Sequence, residues 1–436
     1  MADTLELTAA LNRLGFVRAT PRNRTIGGFG DSRIFLSWSG SGANDYLKTW
    51  GLMGWVQKFS NGACSAPVAY NGGVAGDTTA QMLVRQAAYI ATLKAAGVNL
   101  VVVWGSTNDR PAGIDLGTSQ RNLREIVRNF QIAGIDVILI SETPRGNGSS
   151  SYELTAAQKA DHYAMHVWIE RVMSQMCAVA NVWDYWVDPA SGTNYYPLAS
   201  VVRDWIHPSK IGAMVAGRVV GKIVAAWCRG LPDLAESNVV FNATSNPKGS
   251  LTPNPLVAGT GGSIYASCAP VAGSVLADGW IAELTSGSIS GLTTTWSKET
   301  LNGVSYQKLR IKGIATSSPA EVSAYLDVPL ASLANNDKLK ASGLVISQGV
   351  GLSAIGLNLM LVPGYTQKLD GDESDSSLPY PSENLGPLPF ETPLLVFLTA
   401  TGLTLVRLRL TITVSPSRDV DCTIWFGKTG ALKVTY

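Results

Sequence analysis

Apolar positions follow two different rhythms along the chain, and the change comes near residue 233. In the first stretch, short unbroken apolar runs alternate with longer amphipathic segments. TIGGF at 25–29 leads into Gly30-Asp31-Ser32, and NLVVVW at 99–104 and DVILI at 136–140 are continuous apolar runs of strand length. Runs of this kind suit strands buried on both faces of a parallel sheet. Shorter strand candidates lie at 67–70 and 182–185. Between them the pattern predicts helices over 77–96, 119–133, 155–179 and 209–228. Asp77 is the expected N-cap of the first, Gly97 and Gly134 are expected terminators, and Pro208 leads into the last. Strands alternating with helices of this length imply βαβ units with right-handed crossovers. Ligands of such sheets sit beyond the carboxyl ends of the strands, in loops that here hold Ser32, Gly76, Asn108 and Glu142.

After residue 233 the helical period stops. Residues 234–436 are rich in Gly, Ser, Thr, Val and Leu, with strand-length segments at 394–399 and 403–414, so a β-sandwich or jelly roll is expected. Residues 1–24 carry Leu5, Leu7, Leu11 and Leu14 before Pro21. That stretch reads as a short helix packed on the next domain, or as a docking or oligomerisation segment. The expected division is therefore 1–24, 25–233 and 234–436.

Composition narrows the classes. The charged fraction is 15% and the net charge +2, with no basic stripe, which argues against a nucleic-acid partner. The five cysteines are far apart and form no CxxC, so neither a disulfide framework nor a metal site is expected, and a reducing compartment suits the pattern. No apolar stretch of about 18 residues suggests a membrane span. The opening residues lack the basic start and apolar core of a secretory leader. A protein acting outside the cell would then leave by another route, such as lysis. Asp370, Asp372, Glu373 and Asp375 form an acidic cluster in a polar loop that could bind calcium, but it lacks the full EF-hand spacing and a solvated loop is the favoured reading.

Four short motifs carry chemistry. Ser32 ends the first strand, where a hydroxyl can be exposed to a base. Asp204 stands three residues before His207 at the entry to the last helix. One tight loop can thus deliver an imidazole and the carboxylate that fixes its tautomer. A local Asp–His contact near a helix start is the plainer reading of that motif alone. The other two histidines, His162 and His166, are four residues apart on a predicted helix and read as surface or packing residues. Gly76, before the 77–96 helix, can turn a backbone N–H toward an oxyanion. Asn108, in STND after the best strand, can add an amide donor or simply cap its turn.

Taken in order, GDS at Ser32, the glycine of GVAGDTT, STND at Asn108 and DxxH at Asp204 and His207 resemble the SGNH (GDSL-type) hydrolases over roughly residues 25–230. The resemblance implies a flavodoxin-like three-layer α/β/α domain with a parallel sheet. It also implies a triad of Ser32, His207 and Asp204, an oxyanion hole from Ser32, Gly76 and Asn108, and no cofactor or metal. Two positions depart from the family pattern. Arg33 replaces an apolar residue and is either a substrate contact beside the pocket or a cation turned away to a surface carboxylate. Ser106 takes a position usually held by glycine.

An SGNH domain followed by a sandwich-like domain resembles carbohydrate esterases. It also resembles the esterase modules of phage tail proteins that remove O-acetyl groups from bacterial surface polysaccharides. LTPNPLVAGTGG at 251–262 and DGW at 278–280 add to that likeness. It implies an O-acetylated polysaccharide as partner, and a virion component or homo-oligomer released by lysis, with a cytoplasmic enzyme as the alternative. Trp280, Trp296, Tyr306, Tyr325, Trp425 and Phe426 either fill the sandwich core or stack on sugar rings. The competing functions are a general SGNH lipase or thioesterase and a non-catalytic glycan-binding protein.

Overall fold

The computed structural model describes residues 25–40, 44–228, 230–246, 249–316, 318–363, 367–372, 378–399 and 402–434. The leucines of residues 1–24 and Glu373 and Asp375 of the acidic loop lie outside these. Packing divides the described chain into two compact units, 25–38 with 50–231, and 39–49 with 232–434.

The first unit is a five-stranded parallel sheet with helices. Its strands are β1 (Gly27–Gly30), β4 (Asn71–Gly73), β5 (Leu100–Trp104), β6 (Asp136–Ile140) and β7 (Ala178–Ala180). They lie in the order β4-β1-β5-β6-β7. That is the flavodoxin-like doubly wound order, in keeping with the fold that the resemblance implies. Gly30 has no room for a side chain, since a Cβ there would lie 1.9 Å from the Trp104 carbonyl oxygen. The helices are α1 (Ser32–Phe35), α2 (Leu52–Phe59), α3 (Thr79–Ala95), α4 (Leu116–Ile132), α5 (Ala156–Arg171), α6 (Trp183–Trp186) and α7 (Lys210–Trp227). Phe29, Val101, Val103, Val137 and Leu139 on the strands bury against Leu123, Ile126, Phe130, Met165 and Ile169 on the helices.

Three local readings are corrected. Helix α3 is capped by Thr78 in a reciprocal box with Gln81, because the Asp77 carboxylate is taken by Arg85. The 155–179 helix stops at Arg171, and the next strand is 178–180 rather than 182–185. Trp183 and Trp186, both buried, have the three-residue spacing of a helix face, and they form α6. Of 394–399, only Leu395–Val396 pairs as strand.

The second unit holds two largely antiparallel sheets of six and eight strands. The segment 39–49, which follows α1, belongs here. Its strand Asp45–Lys48 (β3, after Trp38–Ser39, β2) pairs in parallel with Gln367–Asp372. Trp280, Trp296, Tyr306 and Phe426 are essentially fully buried, and Tyr325 and Trp425 nearly so, so the sandwich aromatics are core. Among the described residues no helix is long and apolar enough to cross a membrane.

Candidate active site

Ser32 opens α1 directly beyond the carboxyl end of β1, with Asp31 capping the helix by accepting from the Arg33 N–H at 2.9 Å. Its hydroxyl lies 2.8 Å from His207 Nε2. On the far side of the ring, Nδ1 donates to Asp204 Oδ2 at 2.7 Å, and the His207 backbone N–H donates to Asp204 Oδ1 at 2.8 Å. With Nδ1 donating, Nε2 is left as the acceptor for the serine proton. The 203–207 loop is a tight turn, closed by Arg203 N–H to the His207 carbonyl at 3.0 Å, with Trp205 at φ +70°. Burial alone would raise the Asp204 pKa. Hydrogen bonds from His207 outweigh it and hold the carboxyl below its ordinary value, so Asp204 stays ionised.

The expected oxyanion residues converge on the same strand ends. Gly76 sits at φ +83°, a conformation that favours glycine, with open space around it. Asn108 Nδ2 donates to the Asp77 carbonyl at 2.9 Å, which ties the Asn108 loop to the Gly76 turn. Among the described residues, the backbone N–H groups of Ser32 and Gly76 have no acceptor. Arg85 secures the turn from below: it bonds Asp77 at 2.5 Å and the Gly72 and Gly30 carbonyls at 2.7 Å each, and stacks over Phe29. Asp109 accepts from the Thr79 N–H and hydroxyl at 2.8 and 2.7 Å, joining the same loop to the start of α3.

Ser32, Gly76 and Asn108 thus lie beyond the carboxyl ends of β1, β4 and β5, and the Asp204–His207 loop reaches Ser32 there. Residues 29–215 match the GDSL-like Lipase/Acylhydrolase family. The match supports placing this part of the chain in the GDSL/SGNH lipase–acylhydrolase family. No curated protein matches the chain. Among solved structures, a lipase/acylhydrolase from Enterococcus faecalis is 19% identical over 48% of this chain and 98% of that one, with a TM-score of 0.37. A GDSL-like lipase from Bacteroides thetaiotaomicron VPI-5482 is 16% identical over 50% and 96%, at 0.36. An acetyl xylan esterase, AlAXEase, is 13% identical over 46% and 99%, at 0.34.

Arg33 is not placed to touch a ligand from solvent. It is fully buried, with its guanidinium bonded to Asp31, Glu142 and Thr143. Neither sequence reading holds as stated: the cation turns away to carboxylates, but these, Asp31 and Glu142, are buried and not at the surface. Glu142, already placed by the sequence in a strand-end loop, and Arg145, which no motif singles out, lie in the loop after β6 and tie together the elements around Ser32 and His207. Arg145 donates to the Thr107 carbonyl at 2.6 Å and the Tyr152 carbonyl at 3.0 Å. The Tyr152 ring in turn stands edge-on to His207 at 5.9 Å. The Gly146 N–H bonds the Trp205 carbonyl at 2.9 Å, which links this loop to the histidine loop.

His162 and His166 are buried packing residues. His162 Nε2 donates to the Thr143 carbonyl at 2.8 Å, and His166 stacks on Trp183 at 4.6 Å. Burial pushes both imidazoles down to about 4. In the unfolded chain each takes up its proton near its ordinary value of about 6.5. Stability is therefore intact above pH 6.5 and falls as pH drops toward 4, by on the order of 3 kcal/mol for each ring. Denaturant melts at pH 7 and pH 4.5 should show the wild type losing more stability across that range than His166→Phe. Equal losses would mean that the buried ring does not govern the acid limb.

Proposed function

We propose that the chain is a serine esterase that removes O-acetyl groups from a carbohydrate, in particular a bacterial surface polysaccharide. The observation that carries the reading is the continuous hydrogen-bonded chain from Ser32 Oγ through His207 to Asp204. His207 takes the Ser32 proton as Oγ attacks the ester carbonyl, and Asp204 stabilises the imidazolium. The Ser32 and Gly76 N–H groups and the Asn108 amide receive the oxyanion, where one such donor is typically worth about 3–4 kcal/mol of barrier. His207 then protonates the leaving alcohol, and water, activated by the same ring, hydrolyses the acyl-enzyme.

A carbohydrate partner is supported within the C-terminal unit. A groove of ≈ 540 Å³ on the six-stranded sheet is lined by polar side chains, among them Arg310, Gln348, Ser382, Asn384 and Asp421. Arg310 is held by Asp421 through two bonds of 3.0 Å. The Gln348 and Asn384 amides have no partner among the described residues and are available to hydroxyl groups. In this reading 25–233 is the catalytic domain, 234–436 engages glycan, and the whole is a tail-type virion component.

A p-nitrophenyl ester series from acetate to decanoate tests this. Acetate should be preferred, with acetate also released from O-acetylated polysaccharide. Preference for decanoate would replace the reading with a lipase or thioesterase. No turnover of either substrate class by the folded wild type would leave a glycan-binding protein.

A further inference from the structure

Beneath the catalytic edge lies a buried ionic cluster that the triad does not use. Asp31, Arg33 and Glu142 are all fully shielded from solvent. Arg33 bonds Asp31 through Nε at 3.0 Å and Nη2 at 2.7 Å, and through Nη1 it bonds Glu142 Oε1 at 2.7 Å and Thr143 Oγ1 at 2.9 Å. Its guanidinium lies over the Trp104 ring at 4.9 Å. The second Glu142 oxygen, Oε2, accepts a close hydrogen bond from the Ser106 hydroxyl. Ser106 has φ +97°, a left-handed backbone that favours glycine and is strained in serine. The strained residue opens the loop that carries Asn108.

We infer that Glu142 is a positioning residue for ester hydrolysis, holding the Ser32 helix through Arg33 and the Asn108 loop through Ser106 in one fixed relation. The inference rests on the hydrolase reading above. One carboxylate, in the loop after β6, spans helix α1 beyond β1 and the loop after β5, which deliver the nucleophile and an oxyanion donor. Burying it is tolerable because Arg33 sits against it: desolvation would raise the Glu142 pKa, and the Arg33 charge brings it below the ordinary value instead. Ser106 in place of glycine gives the loop a tether that glycine lacks, and the tether holds a backbone that glycine would adopt without help. Positional errors of about 1 Å in such a site cost on the order of 10²-fold in rate.

The test measures p-nitrophenyl acetate turnover per active serine, with active sites counted by fluorophosphonate titration, so that lost folding does not pass for lost catalysis. Glu142→Gln should lower kcat per titrated serine by about 10- to 100-fold with KM within about twofold. Should Glu142→Gln fail to fold, Ser106 provides the second arm. Ser106→Ala keeps the unfavourable backbone and loses the tether, so kcat per site should fall by roughly tenfold. Ser106→Gly, free of strain, should recover most of it. Wild-type kcat per titrated serine in Glu142→Gln, or in both Ser106 variants, would overturn the positioning role while leaving the hydrolase reading intact. A wild type that neither turns over ester nor reacts at Ser32 would overturn the hydrolase reading and this inference with it.

Discussion

Replacing Ser32 by Ala should lower ester turnover by about 10⁶-fold, to a residue set by the oxyanion donors and binding alone. The size follows from the geometry. The Ser32 hydroxyl is the group 2.8 Å from Nε2 of His207, and Ser32 follows β1, which pairs with the strands β4 and β5 that lead to Gly76 and Asn108. In the proposed mechanism, removing Oγ removes the bond-forming atom and leaves the remaining groups to direct water from the wrong place. The fold should be nearly untouched, because the α1 cap runs through the Asp31 side chain and the Arg33 N–H rather than the serine hydroxyl. Acetate release from p-nitrophenyl acetate, followed beside a thermal melt, separates the two effects. Loss of less than about tenfold would mean that His207 activates water directly and that Ser32 is only a neighbour.

Asp204→Asn should cost about 10⁴-fold in kcat with an unchanged melt. The asparagine oxygen can still accept from the His207 backbone N–H, which Asp204 Oδ1 does at 2.8 Å, so the turn survives. The position now held by Oδ2, 2.7 Å from Nδ1, becomes an NH₂. Two donors cannot face each other, so the ring must adopt the tautomer with its proton on Nε2, facing Ser32. The base is then disabled without being moved. The loss should be in kcat and not in KM, because Asp204 faces the imidazole and not the acyl group. Arg203, 3.7 Å from Asp204 Oδ2, cannot substitute for the carboxylate. A loss of only a few fold would show that the tautomer is fixed by something other than Asp204.

What could be read from the chain follows the range of the interactions concerned. The runs 99–104 and 136–140 announce buried parallel strands because both faces of each are covered, and they appear as β5 and β6 with full burial. Asp204 and His207 are legible because one short turn joins them. The turn at Gly76 is legible because its φ of +83° favours glycine. Arg33 stays undecided in the sequence because its meaning depends on Glu142, more than a hundred residues later, and only the fold brings α1 beside the loop after β6. The strand Asp45–Lys48 carries little apolar signal of its own. It exists because Gln367–Asp372, near the other end of the chain, offers it a sheet edge. The short strand Ala178–Ala180 was hidden inside an apolar stretch that continues the helical period of 156–171. Ser106 shows the opposite case: a departure from the family pattern that was visible in the sequence, and whose sense lies in a backbone angle and a buried carboxylate that were not.

The most direct measurement is peptide mapping by mass spectrometry after reaction of the wild type with a fluorophosphonate, which phosphonylates an activated serine oxygen and expels fluoride. One adduct per chain is expected, on the peptide containing Ser32, formed at least a thousandfold more slowly in His207→Ala, in keeping with the loss of a triad base. Continued ester hydrolysis with Ser32 unmodified, or an adduct on a different serine, would contradict the assignment of Ser32 as the nucleophile.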